Sequence, residues 1–270
     1  MLYLCAVDTG RSGTKTFTEG VRDYFPSILG EYRELRLERE MGLTDMVVEH
    51  EGEKYFIGAI AEESISGAQM MLNSKVHNDT KLFILSALHR VLPNNAQVFL
   101  VVGEPIANHT SQEKARIKDL LSGTHRITIN HEEKSFQIVR VEVAAECATP
   151  GWAMRKSGKF HVIDVGSRTV NYATMNGRRW IDKLSGSLDY GIETVQDLSM
   201  PLFARKVIAD LTKRLNTLFP LILIGGKANE LIEHFKQYTT DISVHEDPLY
   251  ANATAFYRLG NEVLETTKAQ

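Results

Sequence analysis

Short apolar runs rich in Val, Ile, Phe and Tyr recur along the chain. They predict β-strands near residues 2–8, 13–18, 97–102, 126–130, 135–141, 160–165, 169–175 and 221–224. Between them the apolar positions change to helical spacing. Asn78 to Val91 carries Leu82, Leu85, Leu88 and Val91 on one face, and Pro93 follows just past its end. Thr110-Ser111-Gln112-Glu113 has the capping-box pattern, in which a hydroxyl and a carboxylate satisfy orphan amides of a first turn. It predicts a helix that stops before Gly123. Further helices are expected near 189–199, 202–216, 227–237 and 250–259. Gly10 to Gly13 and Asn176-Gly177 supply turn residues that fold neighbouring strands into hairpins. Strands joined by helices, some by hairpin turns, argue an α/β fold with mixed sheets flanked by helices, in two lobes.

The lobe junction is expected around Glu142 to Gly158, where Thr149-Pro150-Gly151 interrupts the pattern and Lys156-Ser157-Gly158-Lys159 reads as a turn. A second crossing near Asp247-Pro248 would return the last helix to the first lobe. That gives lobe I as residues 1–148 plus 250–270 and lobe II as 149–249. Glu31 to Glu40 holds seven charged residues in ten and reads as a solvated segment.

Two stretches nearly repeat each other. Val7-Asp8-Thr9-Gly10-Arg11-Ser12-Gly13-Thr14 follows one apolar run, and Ile163-Asp164-Val165-Gly166-Ser167-Arg168-Thr169-Val170 follows another. In each, an Asp closes the strand, a Gly and small hydroxylated residues follow, and a strand returns. One such element is a common hairpin. Two, about half a chain apart, suggest a duplicated lobe with a phosphate gripped between the copies.

Composition narrows the classes. At 270 residues the chain can bury one large core or two small ones. Its 31 basic and 34 acidic side chains leave a net charge of −3, which weighs against a general nucleic-acid coat. Cys5 and Cys147 have no metal-ligand spacing, and the nine histidines form no HxxxH or HExxH pair. No run approaches the ~18 apolar residues of a membrane span. The chain therefore reads as cytoplasmic, with no disulfide framework.

The first repeat is not a Walker A loop, because Thr14 separates Gly13 from Lys15, and GxGxxG is absent. What remains is a strand, an Asp, a glycine turn and a strand carrying Lys15. Glycines let backbone amides turn towards an anion, and Lys15 would add a point charge on a phosphate oxygen. Asp8 would hold waters of Mg²⁺, which dehydrates reluctantly. Taken alone, the motif is more often a plain hairpin turn. A third loop, Leu221 to Asn229, is an apolar strand ending in Gly225-Gly226-Lys227 at a helix start, where a phosphate or flat base can approach the backbone closely.

Phosphate, phosphate and nucleoside segments in this order resemble those of the actin, heat-shock-chaperone and sugar-kinase superfamily, whose fold is a duplicated ribonuclease H-like one. Asp8-x-Gly10-x-x-x-x-Lys15 is similar to the actin phosphate loop, Lys included. Across residues 3–260 the chain resembles the bacterial plasmid-segregation actins of the ParM and AlfA kind, AlfA more closely. Supporting segments are Phe25-Pro26-Ser27-Ile28-Leu29, Tyr55-Phe56-Ile57-Gly58, Ala144-Ala145-Glu146 and Ile224-Gly225-Gly226-Lys227-Ala228. Gly186 and Leu221 are only 35 residues apart, so the resemblance implies loss of the subdomain that actins insert in lobe II.

The resemblance implies an actin-like nucleotide triphosphatase that polymerises on binding Mg²⁺ with ATP or GTP and segregates plasmid DNA. Asp8 and Asp164 would hold the metal through water. Thr9, Gly10, Arg11, Ser12, Gly13, Lys15, Gly166, Ser167, Arg168 and Thr169 would line the phosphates, and Gly225, Gly226 and Lys227 the nucleoside. Glu146 would activate the attacking water, making Glu146, Asp8 and Asp164 the catalytic set. Cys147-Ala148-Thr149-Pro150-Gly151 departs from the small helix-compatible residues usual after that Glu and predicts a late helix start. Arg11 stands where actins often have Ser; it would add charge near the phosphates or make an inter-subunit contact. Expected partners are further copies of the chain and a DNA-binding adaptor protein on a plasmid centromere, with no direct reading of nucleic acid and no membrane. Two other readings stay open. One is a small-molecule kinase of the same superfamily, such as a type III pantothenate kinase, although no Gly-x-Ile-x-Pro-Gly stretch is present. The other is a nucleotide-binding scaffold without turnover.

Overall fold

A computed structural model describes residues 1–36, 40–64, 67–69, 74–195, 197–215 and 220–268. The chain divides into two compact units: Met1–Gly103 with Thr110–Val143 and Gly260–Gln270, and Glu104–His109 with Ala144–Leu259.

The first sheet has ten strands: β1 (Leu2–Thr9), β2 (Gly13–Thr18), β3 (Val21–Pro26), β4 (Ile28–Glu31), β5 (Met46–His50), β6 (Glu53–Ile57), β7 (Ala68–Gln69), β8 (Ala96–Glu104), β9 (Gly123–Ile129) and β10 (Glu132–Ala145). Their order is β3-β2-β1-β8-β10-β9-β5-β6-β4-β7. β1 pairs antiparallel with β2 and parallel with β8, so the sheet is mixed. Helix α1 (Asn78–Val91) packs Leu82, Leu85 and Leu88 into one core with Cys5 and Val7 of β1 and Val98 and Leu100 of β8. Fully burying each such side chain stabilises by roughly 1.5–3 kcal/mol. Helix α2 (Ser111–Leu121) opens on Thr110, whose hydroxyl accepts from the Glu113 amide at 3.2 Å.

The second unit contains α3 (Ala148–Ala153), β11 (Lys159–Val165), β12 (Val170–Asn176), β13 (Arg179–Trp180), β14 (Gly186–Leu188), α4 (Met200–Arg214), β15 (Leu221–Ile224), α5 (Ala228–Phe235) and β16 (Ile242–Val244). Its sheet runs β13-β12-β11-β15-β16, with β14 beside β12. β11 pairs antiparallel with β12 and parallel with β15. The order β3-β2-β1-β8-β10 therefore recurs as β13-β12-β11-β15-β16. Ile163, Val165, Leu221 and Leu223 face a core with α4 and α5, while Phe160, Val162, Ile222 and Ile224 face another that includes Ala148. Burial on both faces explains why β11 and β15 read as continuous apolar runs. α6 (Ala251–Lys268) closes the chain, and Gly260 lies so close to Leu4 that a Cβ there would come within 2.5 Å of it.

Several elements differ from the sequence expectation. No helix forms at 189–195 or 197–199. The Gly191 amide instead donates to the Thr194 hydroxyl at 2.8 Å, a local bond that competes with helix. The β5–β6 hairpin, turned by Glu51 (φ 54°) and Gly52 (φ 84°), was not predicted because its strands carry charge at exposed positions. β3, β4 and the three-residue β16 were likewise missed. α4 starts at Met200 and ends at Arg214; residue 216 of the expected helix and residues 37–39 of the charged run lie outside the described residues. Among the described residues no helix is long and apolar enough to cross a membrane.

Candidate functional site

In the first unit the β1–β2 hairpin sets the loop. Asp8 pairs in register with Lys15 and Thr9 with Thr14, leaving Gly10, Arg11 and Ser12 at the turn before Gly13 opens β2. Asp8 and Thr9 are buried at the strand end. Lys15 folds back over the loop: its Nζ lies 2.7 Å from where a Cβ on Gly10 would stand. Gly13 lies under the Tyr24 ring, where a Cβ would come within 2.3 Å of Cε2. Thr14 Oγ1 and Ser27 Oγ share a buried hydrogen bond of 2.9 Å, and the Ser27 amide donates to the Ser12 carbonyl at 3.3 Å. Two faces of the loop are thus fixed by β3 and the turn after it. Tyr24 and Ser27 were not among the residues expected to shape it.

In the second unit the β11–β12 hairpin repeats this register. Asp164 pairs with Asn171 and Val165 with Val170, and Gly166, Ser167, Arg168 and Thr169 form the turn. The Gly166 amide donates to the Thr169 carbonyl at 3.0 Å. Residues 191–193 brace this turn: the Ile192 amide donates to the Gly166 carbonyl (3.1 Å) and the Glu193 amide to the Ser167 carbonyl (2.8 Å). Gly191 sits so close that a Cβ would meet Ser167 C at 2.4 Å and Arg168 N at 2.5 Å. The brace occupies the segment read as a helix, so its role was invisible in the apolar pattern.

The diglycine loop joins the same place. Gly225, at φ 99°, leaves no room for a side chain: a Cβ would stand 2.4 Å from the Val165 carbonyl oxygen and 2.9 Å from Asp164 Oδ1. Its amide donates to the Pro248 carbonyl at 2.8 Å. Gly226 and Lys227 are exposed at the α5 start, and Lys227 Nζ reaches Glu230 at 2.8 Å. The Asp164 carboxylate, the Gly166–Thr169 turn and Gly225 are therefore neighbours.

Glu146 lies just past the end of β10. It is buried, and its amide donates to the Glu104 carbonyl at 3.0 Å. Cys147 follows at φ 66°, and α3 begins at Ala148. Burial, then the charge of Asp164, push the Cys147 thiol well above its ordinary range, and Sγ donates to the Val162 carbonyl at 3.2 Å. Sequence reasoning missed Asn252. From the first turn of α6, its Nδ2 donates to Asp164 Oδ2 at 2.9 Å, and its Oδ1 accepts from the Cys147 amide at 3.1 Å. The available signal was a lone amide side chain among small residues, Ala251-Asn252-Ala253-Thr254-Ala255. Among the described residues no group of three or more His, Cys, Asp or Glu side chains could hold a metal ion.

The sequence profile of the family described as the N-terminal domain of actin-like proteins matches residues 6–148, just over half of the chain. No curated protein matches. Solved structures match across both units. The apo ParM protein of pSK41 is 17% identical, covers 100% of this chain and 99% of its own, and superposes with a TM-score of 0.77. The archaeal actin homologue Ta0583 is 19% identical, with coverages of 96% and 99% and a TM-score of 0.81. An AlfA filament bound to AMPPNP is 20% identical, with coverages of 98% and 99% and a TM-score of 0.78. The two mixed sheets with their flanking helices are the actin-like α/β fold.

Proposed function

The chain belongs to the family of actin-like proteins, and from that premise we propose that it is a nucleotide triphosphatase of the ParM and AlfA type. It polymerises into filaments on binding ATP or GTP and, coupled through a DNA-binding adaptor protein at a plasmid centromere, segregates plasmid DNA. The observation that carries this reading is the repeated hairpin: Asp8 and Asp164 hold equivalent register positions at the ends of β1 and β11, each followed by a glycine turn. The AMPPNP-bound AlfA filament supports it, since that relative of the same fold is both nucleotide-bound and polymeric.

In this reading each turn binds nucleotide phosphate. Lys15 pairs with phosphate oxygens as a point charge, and amides of Thr9 to Gly13 and of Gly166 to Thr169 donate to them. Gly225 and Gly226 present bare backbone to the nucleoside, with Lys227 at the helix start beside them. A carboxylate at each strand end, Asp8 and Asp164, suits Mg²⁺ held through water, and such an ion would neutralise charge on the transferring phosphate. Asp164 fits that task because one oxygen is already directed by Asn252 while Oδ1 lies on the Gly225 side. Glu146 orients the attacking water and accepts its proton. Arg11 and Arg168 add positive charge at the two turns. The filament requires a head-to-tail contact whose rotation does not close into a ring.

Electron microscopy and light scattering of the purified protein test this reading. Filaments are expected with Mg²⁺-ATP or Mg²⁺-GTP and not without nucleotide. Asp164→Ala should abolish nucleotide-dependent assembly. Wild-type protein that stays monomeric and binds neither nucleotide would overturn it.

A further inference from the structure

The strongest unassigned feature is the double hydrogen bond of Asn252. Its amide is oriented by both partners: Nδ2 faces the Asp164 carboxylate and Oδ1 faces the Cys147 N–H. A flipped amide would set oxygen against carboxylate and N–H against N–H, so only one orientation satisfies the pair. Asn252 and Asp164 are both buried, where a lost partner costs the full desolvation of the group left behind.

Cys147 sits at a strained point. With φ 66° and ψ −45°, and with the Ala148 amide donating to the Glu146 carbonyl at 2.7 Å, it centres a γ-turn of the rare hand. Such a conformation persists only where its surroundings hold it. Here the holders are the Asn252 oxygen on its amide and the Val162 carbonyl on its sulfur. The strained residue directly follows Glu146, so the turn's geometry sets where Glu146 leaves β10.

We infer that Asn252 is a positioning residue that fixes the Asp164 carboxylate and the Glu146–Cys147 turn together, so that metal-water acceptor and water-activating acid keep one mutual geometry. This rests on the nucleotide-hydrolysis reading above, but its structural half stands without it. The amide carries no charge and touches neither reacting atom in that scheme; it acts through Asp164 and the turn. Misplacing a catalytic group by about 1 Å costs roughly 10²-fold in rate.

Asn252→Asp and Asn252→Ser test it. The first is isosteric but sets a second carboxylate against Asp164, with Glu146 and Cys147 the other titratable groups of the turn. Phosphate release per bound Mg²⁺-ATP should fall about 10- to 100-fold against wild type at pH 8. Asn252→Ser, too short to bridge, should also slow release while nucleotide affinity stays within a few-fold, a separation of rate from binding that a merely structural defect would not produce. Should Asn252→Asp not fold, Asn252→Ser carries the kinetic test alone. Wild-type release rates in both variants would overturn the proposal. If wild type itself hydrolyses nothing, the functional reading fails, and a crystal structure of Asn252→Ser decides the structural half. A rotated Asp164 side chain and a relaxed Cys147 support it; both unmoved overturn it.

Discussion

Gly225 shows how one missing side chain determines a neighbourhood. A Cβ at 2.4 Å from the Val165 carbonyl meets backbone that cannot rotate away, and the residue's φ of 99° disfavours any L side chain. Gly225→Ala should therefore destabilise the protein by at least about 1–2 kcal/mol from the left-handed backbone alone. Urea denaturation measures that, and nucleotide affinity should drop as the loop shifts off Asp164. Glu146 permits a cleaner separation. Glu146→Gln keeps shape and burial but removes the proposed base, so phosphate release should fall by roughly 10²–10⁴-fold. Affinity for Mg²⁺-nucleotide should hold, as a filter-binding assay would show. Unchanged release would remove Glu146 from the mechanism.

At the scale of elements, the brace formed by residues 191–194 is tied to α4. Neighbouring Tyr190 donates its hydroxyl to Asp210 at 2.9 Å, and Lys206 and Lys213 also contact that carboxylate. Burial pushes Asp210 up, yet hydrogen bonds from Lys213, Tyr190 and Lys206 outweigh it and hold the group at about 2. A carboxyl lowered on folding from 3.8 contributes stability that is present above pH 4 and lost as pH falls towards 2. Asp210→Asn should accordingly flatten the acid limb of a thermal-melting profile below pH 4 while lowering the melting temperature at pH 7.

The strands that carry the candidate loops were legible because β1, β11 and β15 are buried on both faces and so spell apolar runs. The Asp-Gly turns and the capping box at Thr110 were legible because each is a local bond between near neighbours. Asn252 was not, since its partners lie 88 and 105 positions away along the chain. The brace at Gly191 was missed for a related reason: its apolar residues, Ile192 and Val195, have helical spacing but are used to pack against the second-unit core. The β5–β6 hairpin carried its own signal, Glu51-Gly52 between alternating residues, which charged positions obscured.

For the whole molecule, acid should act first through buried histidines. In the first unit, burial lowers His89 and His125 despite their hydrogen bonds to the Glu132 and Leu121 carbonyls. Histidines held neutral on folding contribute stability present above 6.5 and lost as pH falls below it. Far-UV circular dichroism should therefore begin to change below about pH 6.5, and a spectrum unchanged down to pH 4 would count against this. Saturating Mg²⁺-nucleotide should raise the melting temperature, by about 2.7 kcal/mol of added stability at a hundredfold excess over Kd. No shift in differential scanning fluorimetry would count against a nucleotide site.

The twin hairpins are kin in outline but not in character. Seven positions after its aspartate, the first carries half-buried Lys15, whereas the second carries buried Asn171, held by Ser187 Oγ at 2.5 Å. An ammonium at 171 would have to displace that serine, and an amide at 15 would strip the cation from above Gly10. On this rung of the ladder the two hairpins therefore part: the first carries a cation opposite its aspartate and the second a neutral amide, and neither side chain can stand in for its sibling.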